Sequence, residues 1–228
     1  MKRKRRLEKK YLYRRIACGF LILIICGSIL FISVGNFNQR KIQDIAMVKN
    51  FYNMGFSEEE ILALYNELNI IETNFIWNDQ LEEGNKPQKI VLHHSGSESA
   101  SVEWIHKEHI DKGWAGIGYH YFIKKDGEIY KGREENVIGA HVKRNNENTL
   151  GICLEGDFEI EMPTIQQNDS ILKLLKYLYL KYDIKDLSGH RELWETLCPG
   201  ENLKVTYIKK ELDLLLEEYK NKENISEK

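Results

Sequence analysis

A chain of 228 residues that is 42% hydrophobic and 30% charged is long enough for one substantial core with appendages, and too apolar to remain a disordered chain. Four cysteines are too few for a disulfide-built scaffold of this length. The formal charge is −2, but residues 1–15 hold nine Lys/Arg against Glu8 alone, a net of +8, so the remainder carries −10. An acidic body whose basic cluster is confined to one end argues against a nucleic-acid-binding surface.

Directly after the basic run, residues 16–35 (IACGFLILIICGSILFISVG) are twenty uncharged positions. That length crosses about 30 Å of hydrocarbon at about 1.5 Å per residue, so the sequence predicts a single transmembrane anchor. Lys/Arg flanks favour the cytoplasmic side, which makes residues 1–15 a cytoplasmic tail and places everything from Asn36 onward outside the cell membrane. A cleaved signal peptide normally has a shorter apolar region. A buried core helix would show a polar face, which this run lacks.

Residues 36–86 read as a polar linker and short helical spacer, with Ser57 and Glu60 forming a capping box before Ile61 and Leu62. Residues 89–92 read as a short buried strand ending at His93. Residues 101–112 form an amphipathic helix that turns Val102, Ile105, His109 and Trp104 toward the core and stops at Gly113. Residues 118–124 and 128–131 are strands joined across Asp126-Gly127, a hairpin signal, and residues 149–155 are a further strand. Residues 164–182 are helical, with Ile165, Ile171, Leu172, Leu175, Leu178 and Tyr179 on the apolar face. Residues 203–219 close the domain as a helix, and residues 221–228 read as a frayed tail. Interleaved strands and helices predict a mixed α/β class, a central mixed β-sheet flanked by helices over residues 87–220.

The chemistry-bearing residues cluster at two places. Val91-Leu92-His93-His94-Ser95 ends an apolar run, and Gly189-His190-Arg191 lies one short loop from Leu197-Cys198-Pro199-Gly200. Two imidazoles and a thiolate supply three zinc ligands and leave one coordination position open, as a hydrolase requires and a structural zinc site does not. Cys18 and Cys26 lie inside the apolar span, so Cys153 and Cys198 are the exported pair. A disulfide between them and a metal at Cys198 exclude each other, and the nearness of His190 favours the metal.

Four segments carry a resemblance to a known family: VLHHS at 91–95, HIDKGWAGIGYHYFIKKDG at 109–127, GAHVKRNNENTLGICLEGDF at 139–158 and GHRELWETLCPG at 189–200. In this order they resemble the zinc-dependent N-acetylmuramoyl-L-alanine amidases, the family that includes bacteriophage lysozyme-type amidases and peptidoglycan recognition proteins. The resemblance implies Zn2+ held by His93, His190 and Cys198, with Tyr119 as a catalytic side chain. It also implies a catalytic place for Thr196, where relatives carry Lys or Thr. The implied reaction is hydrolysis of the amide between N-acetylmuramic acid and L-alanine in peptidoglycan; the chain is expected to be a monomer, and the basic flank turns its site outward. Cytoplasmic amidases of the same fold carry a Glu where this chain has Cys153 and lack the Tyr, so the resemblance is to the phage and recognition-protein branch. A non-catalytic peptidoglycan-binding module is the rival, and Cys198 argues against it.

The remaining polar residues divide into groove candidates and structural ones. His141, His109, Trp114 and Asn145 are candidate substrate contacts, with core packing the alternative for Trp114 and plain surface exposure that for His141. His94 and His120 alternate away from His93 and Tyr119, which marks both as structural. His106 and His109 have the spacing of a metal pair but no third ligand. Glu155 shares a strand face with Cys153 and is a candidate substitute base.

Overall fold

Five strands form one mixed sheet in the order β3-β2-β4-β1-β5. In the computed structural model, which describes residues 58–182 and 184–226, β1 (Lys89–His94) lies parallel between β4 (Thr149–Leu154) and β5 (Asp186–Gly189). On the far side of β4, β2 (Tyr121–Ile123) runs parallel to it, and β3 (Ile129–Lys131) closes the edge antiparallel to β2. Central parallel strands are covered on both faces and read as continuous apolar runs. This is why Ile90, Val91 and Leu92 are all fully buried. The Asp126-Gly127 hairpin forms as expected, with Gly127 at φ 89°, a conformation that disfavours residues with a Cβ. β5 was not expected, because Asp186-Leu187-Ser188-Gly189 carries one large apolar residue in four.

The expected tail 1–15, the apolar span 16–35, the linker up to Ser57 and the last two residues lie outside the described residues. Among those described, no helix is long and apolar enough to cross a membrane.

Three helices cover the sheet. Ser101 caps α2 (Val102–Asp111) by accepting from the Trp104 N–H. Val102, Ile105, His106 and His109 turn inward, whereas Trp104 is 43% exposed, so its expected core place is corrected. α3 (Ile165–Lys181) starts at a capping box in which the Thr164 hydroxyl accepts from the Gln167 N–H and Gln167 Oε1 accepts from the Thr164 N–H. Ile165 is 85% exposed, contrary to expectation, because the first turn faces inward through Gln167, whose amide donates to the Glu155 carbonyl, and the buried stripe continues through Ile171, Leu174, Leu175 and Leu178. α4 (Val205–Ser226) packs on α3 and β5 and continues past residue 221, where its composition suggested fraying.

The described part of the expected spacer packs on the domain. In α1 (Glu58–Glu67), Ile61 and Leu64 are buried, and Tyr65 sits 5.6 Å from the Tyr177 ring of α3. The segment that follows donates from Ile71 N to Ile129 O and returns a bond from Lys131 N to Ile71 O, extending the sheet edge. Phe75 stacks on His106 at 4.0 Å and 7°.

One buried ion pair ties sheet to helix. Lys181 Nζ lies 2.6 Å from the Glu135 carboxylate, which also accepts from the Tyr121 and Tyr182 hydroxyls at 2.5 and 2.8 Å. Burial alone would raise the Glu135 carboxyl, but Lys181, Tyr121 and Lys131 outweigh it and hold it at about 2. A carboxyl depressed in the folded state stabilises above its unfolded value near 4.5 and loses that contribution as pH falls toward 2. Glu135→Ala is expected to cost about 3–5 kcal/mol by stranding the lysine. Urea midpoints between pH 5 and 2 check this, with a flatter pH dependence in the variant.

Candidate active site

Parallel neighbours β1 and β5 end side by side and deliver the first two donors. His93, fully buried, is the penultimate residue of β1, and His190 begins the 3-10 turn His190–Glu192 directly after β5. The loop that follows folds back on itself: Arg191 N donates to Cys198 O at 2.8 Å, and Cys198 N donates to the Thr196 hydroxyl at 3.2 Å. This returns Cys198 to the strand ends, with the Cys198–Pro199 peptide cis. The donor atoms of His93, His190 and Cys198 all lie within 4.8 Å of one another.

The donor set fits zinc in geometry and charge. His93 Nδ1 stands 3.6 Å from Cys198 Sγ, which is the edge of about 3.6 Å that ligand bonds of about 2.1 and 2.3 Å subtend at the tetrahedral angle. Burial pulls the His93 imidazole well below its ordinary range, and lowers His190 for the same reason, so both rings are neutral and available as donors. Burial pushes the Cys198 thiol up to about 12, with a backbone hydrogen bond from His94 and the Arg191 charge pulling weakly the other way. A thiolate at such a place requires a cation beside it. Cys153 and Cys198 are both free thiols, which disposes of the disulfide.

Tyr119 borders this cluster, its ring 5.0 Å from that of His93 and 5.5 Å from that of His109. Its hydroxyl hydrogen-bonds the Cys153 side chain, and burial above all raises its ionisation well beyond the usual phenol range. The phenol thus keeps its proton and can donate it in a hydrogen bond. Register explains the neighbour: His93 pairs with Cys153, so both side chains leave the same sheet face.

The other candidates sort by their partners. His109 Nδ1 accepts from the Gly118 N–H at 3.0 Å and its ring lies 4.6 Å from Trp114, while burial takes it down to about 4. Trp114 is 43% exposed, so the core alternative is corrected: it is an open ring on the rim beside His109. Asn145 is exposed, its side chain donates to the Lys143 carbonyl, and its own carbonyl accepts from the Thr149 hydroxyl. The Thr196 hydroxyl is engaged with the Cys198 N–H. His141 is only 7% exposed and hydrogen-bonds His93 directly at 3.0 Å, so the alternative of surface exposure is corrected.

Residues set apart as structural keep that place. His94 Nδ1 accepts from the Phe158 N–H, His120 Nδ1 from Gly151 and His106 Nδ1 from Ile117. Glu155 cannot be a substitute base: its two carboxylate oxygens accept the Ala100 and Lys125 N–H groups at 3.1 and 2.9 Å. The residue not foreseen is Thr149, which with Asn146 supports His141. A threonine opening a strand carries no local signal for that task.

Two imidazoles and a thiol that could hold a metal ion, with a partly buried phenol beside them, mark a hydrolase-type site. A family model described as N-acetylmuramoyl-L-alanine amidase matches residues 83–201. The chain belongs to this family and is an enzyme of the amidase type. It is 34% identical over 142 residues to the endolysin of Escherichia phage T7, spanning 58% of this chain and 93% of the endolysin. Peptidoglycan-recognition protein LB of Drosophila melanogaster is 41% identical over 97 residues, 41% of this chain and 42% of that protein. Among solved structures, the endolysin amidase LysCS from Clostridium intestinale matches with a TM-score of 0.62 at 41% identity, covering 63% of this chain and 95% of that one.

Proposed function

We propose that the protein is a zinc-dependent peptidoglycan amidase. It hydrolyses the bond between the lactyl group of N-acetylmuramic acid and the L-alanine of the stem peptide, and is held outside the cell membrane by residues 16–35. The observation that carries this reading is the convergence of His93, His190 and Cys198 with the Tyr119 phenol against the His93 ring. The amidase family and the endolysin relatives support the bond and the substrate class. The uncharged span behind nine basic residues supports the anchor.

His93, His190 and Cys198 would hold the ion. When bound, zinc supplies a Lewis acid for the scissile carbonyl and a nucleophile available near pH 7. Tyr119, kept protonated by burial, donates to the oxygen on which negative charge develops. Arg191 and Thr196 hold the Cys198 loop against the strand ends, so the thiolate donor stays in place between turnovers.

Digestion of defined muropeptides by the full-length protein in detergent, read by mass, is expected to yield free stem peptide and intact sugar. A chelator should stop the release and added Zn2+ restore it. Release that persists without metal would overturn the zinc mechanism, and wall binding with no release would favour the non-catalytic module. In cell fractionation the full-length chain should sediment with membranes, and recovery in a soluble, shortened form would overturn the anchor.

A further inference from the structure

His141 lies 48 residues from His93 in sequence and touches it through one ring nitrogen only. The ring occupies a slot made by two glycines: a Cβ on Gly139 would meet His141 Cδ2 at 2.5 Å, and one on Gly151 would meet Cγ at 2.6 Å. Both nitrogens are engaged inside that slot, Nδ1 with His93 Nε2 at 3.0 Å and Nε2 with Thr149 Oγ1 at 3.1 Å. The loop that carries the ring is itself fixed, because Asn146 Oδ1 accepts the backbone N–H groups of His141 and Val142, each at 2.8 Å.

These contacts determine where the protons are. The Thr149 hydroxyl sits 2.7 Å from Asn146 O and 3.2 Å from Asn145 O. Carbonyls only accept, so the single hydroxyl proton goes to them and Oγ1 accepts from its third neighbour. His141 Nε2 therefore carries the proton. An imidazole with a single N–H carries it on one nitrogen only, so with Nε2 protonated His141 Nδ1 accepts from His93 Nε2–H. The lone pair of His93 is then on Nδ1, the atom facing Cys198 Sγ.

We propose that His141, backed by Thr149, is a positioning residue that locks His93 as an Nδ1 donor and holds its ring toward the metal. The inference rests on the zinc reading above and assigns His141 away from the substrate groove. An outer hydrogen-bond partner of a metal-bound imidazole sets its tautomer and orientation, and its loss typically weakens metal binding about 10- to 100-fold.

The test is the dissociation constant of Zn2+ alone, measured by competition against a chromophoric chelator on the metal-free full-length protein. His141→Leu should weaken binding about 10- to 100-fold. His141→Asn should recover most of it, since the amide oxygen takes the place of Nδ1 as acceptor. Thr149→Val keeps the imidazole but removes the acceptor for its Nε2–H; it should weaken binding by a smaller factor and serves if the leucine variant does not fold. Parental affinity in both His141→Leu and Thr149→Val, or an asparagine variant as weak as the leucine one, would overturn the proposal. A parent protein that takes up no zinc would overturn the zinc reading instead.

Discussion

Cys198→Ser is expected to lower kcat/KM on muropeptides by at least about a thousandfold, or about 4 kcal/mol, with zinc falling below one ion per chain. The serine hydroxyl is not ionised near neutral pH and replaces the one donor able to bring negative charge to the site. His93 and His190 remain, but two neutral imidazoles bind zinc far more weakly than two imidazoles and a thiolate. The fold should tolerate the change, because the loop is closed by the Arg191 N–H to the Cys198 carbonyl and by the Cys198 N–H to Thr196, both backbone groups at position 198. Elemental analysis and thermal melting on the same preparation check this. A variant with full activity would remove Cys198 from the mechanism.

Tyr119→Phe is expected to reduce kcat about 10²- to 10³-fold, about 2.7–4 kcal/mol, the usual effect of deleting one donor to a developing oxyanion. KM and zinc content should stay close to parental values, because the phenol is outside the His93, His190, Cys198 set. The hydroxyl now rests on Cys153 and must turn to the substrate; catalytic hydrogen bonds often tighten only in the reacting complex. Steady-state kinetics and metal analysis together check this. A loss confined to KM would make Tyr119 a binding group.

The donors were readable in the sequence because each sits beside a local landmark: His93 ends an apolar run, and His190 and Cys198 share one short loop. What surrounds them was not. The His93–His141 bond joins β1 to a loop through space, and periodicity within either segment says nothing about it. Strand β5, which places His190, carries one large apolar residue, Leu187, and gains its stability from pairing with β1. Trp104 and Ile165 were assigned inward by helical spacing. That spacing fixes which residues share a face but not where the face stops meeting the sheet. The alternation rule, by contrast, correctly sent His94 to the opposite side, where it fastens Phe158.

The connections leaving β1 and β4 run over opposite faces. After β1 the chain passes through α2, whose Val102 and Ile105 pack with Phe122 and Cys153; after β4 it passes through α3, which reaches the Tyr121 side through Lys181 and Glu135. Chains that part in this way leave a crevice beyond the carboxyl ends of the two strands. The donors His93, His190 and Cys198 lie at that gap, and the loops after β1 and β4 meet beside it, Ser95 N–H donating to Leu154 O and Gly96 N–H to Gly156 O. The loops directly after β1 and β4 contain none of His93, Tyr119, His190 and Cys198, so changes in those two loops can alter which wall fragment the chain accepts while the barrier-lowering groups keep their places.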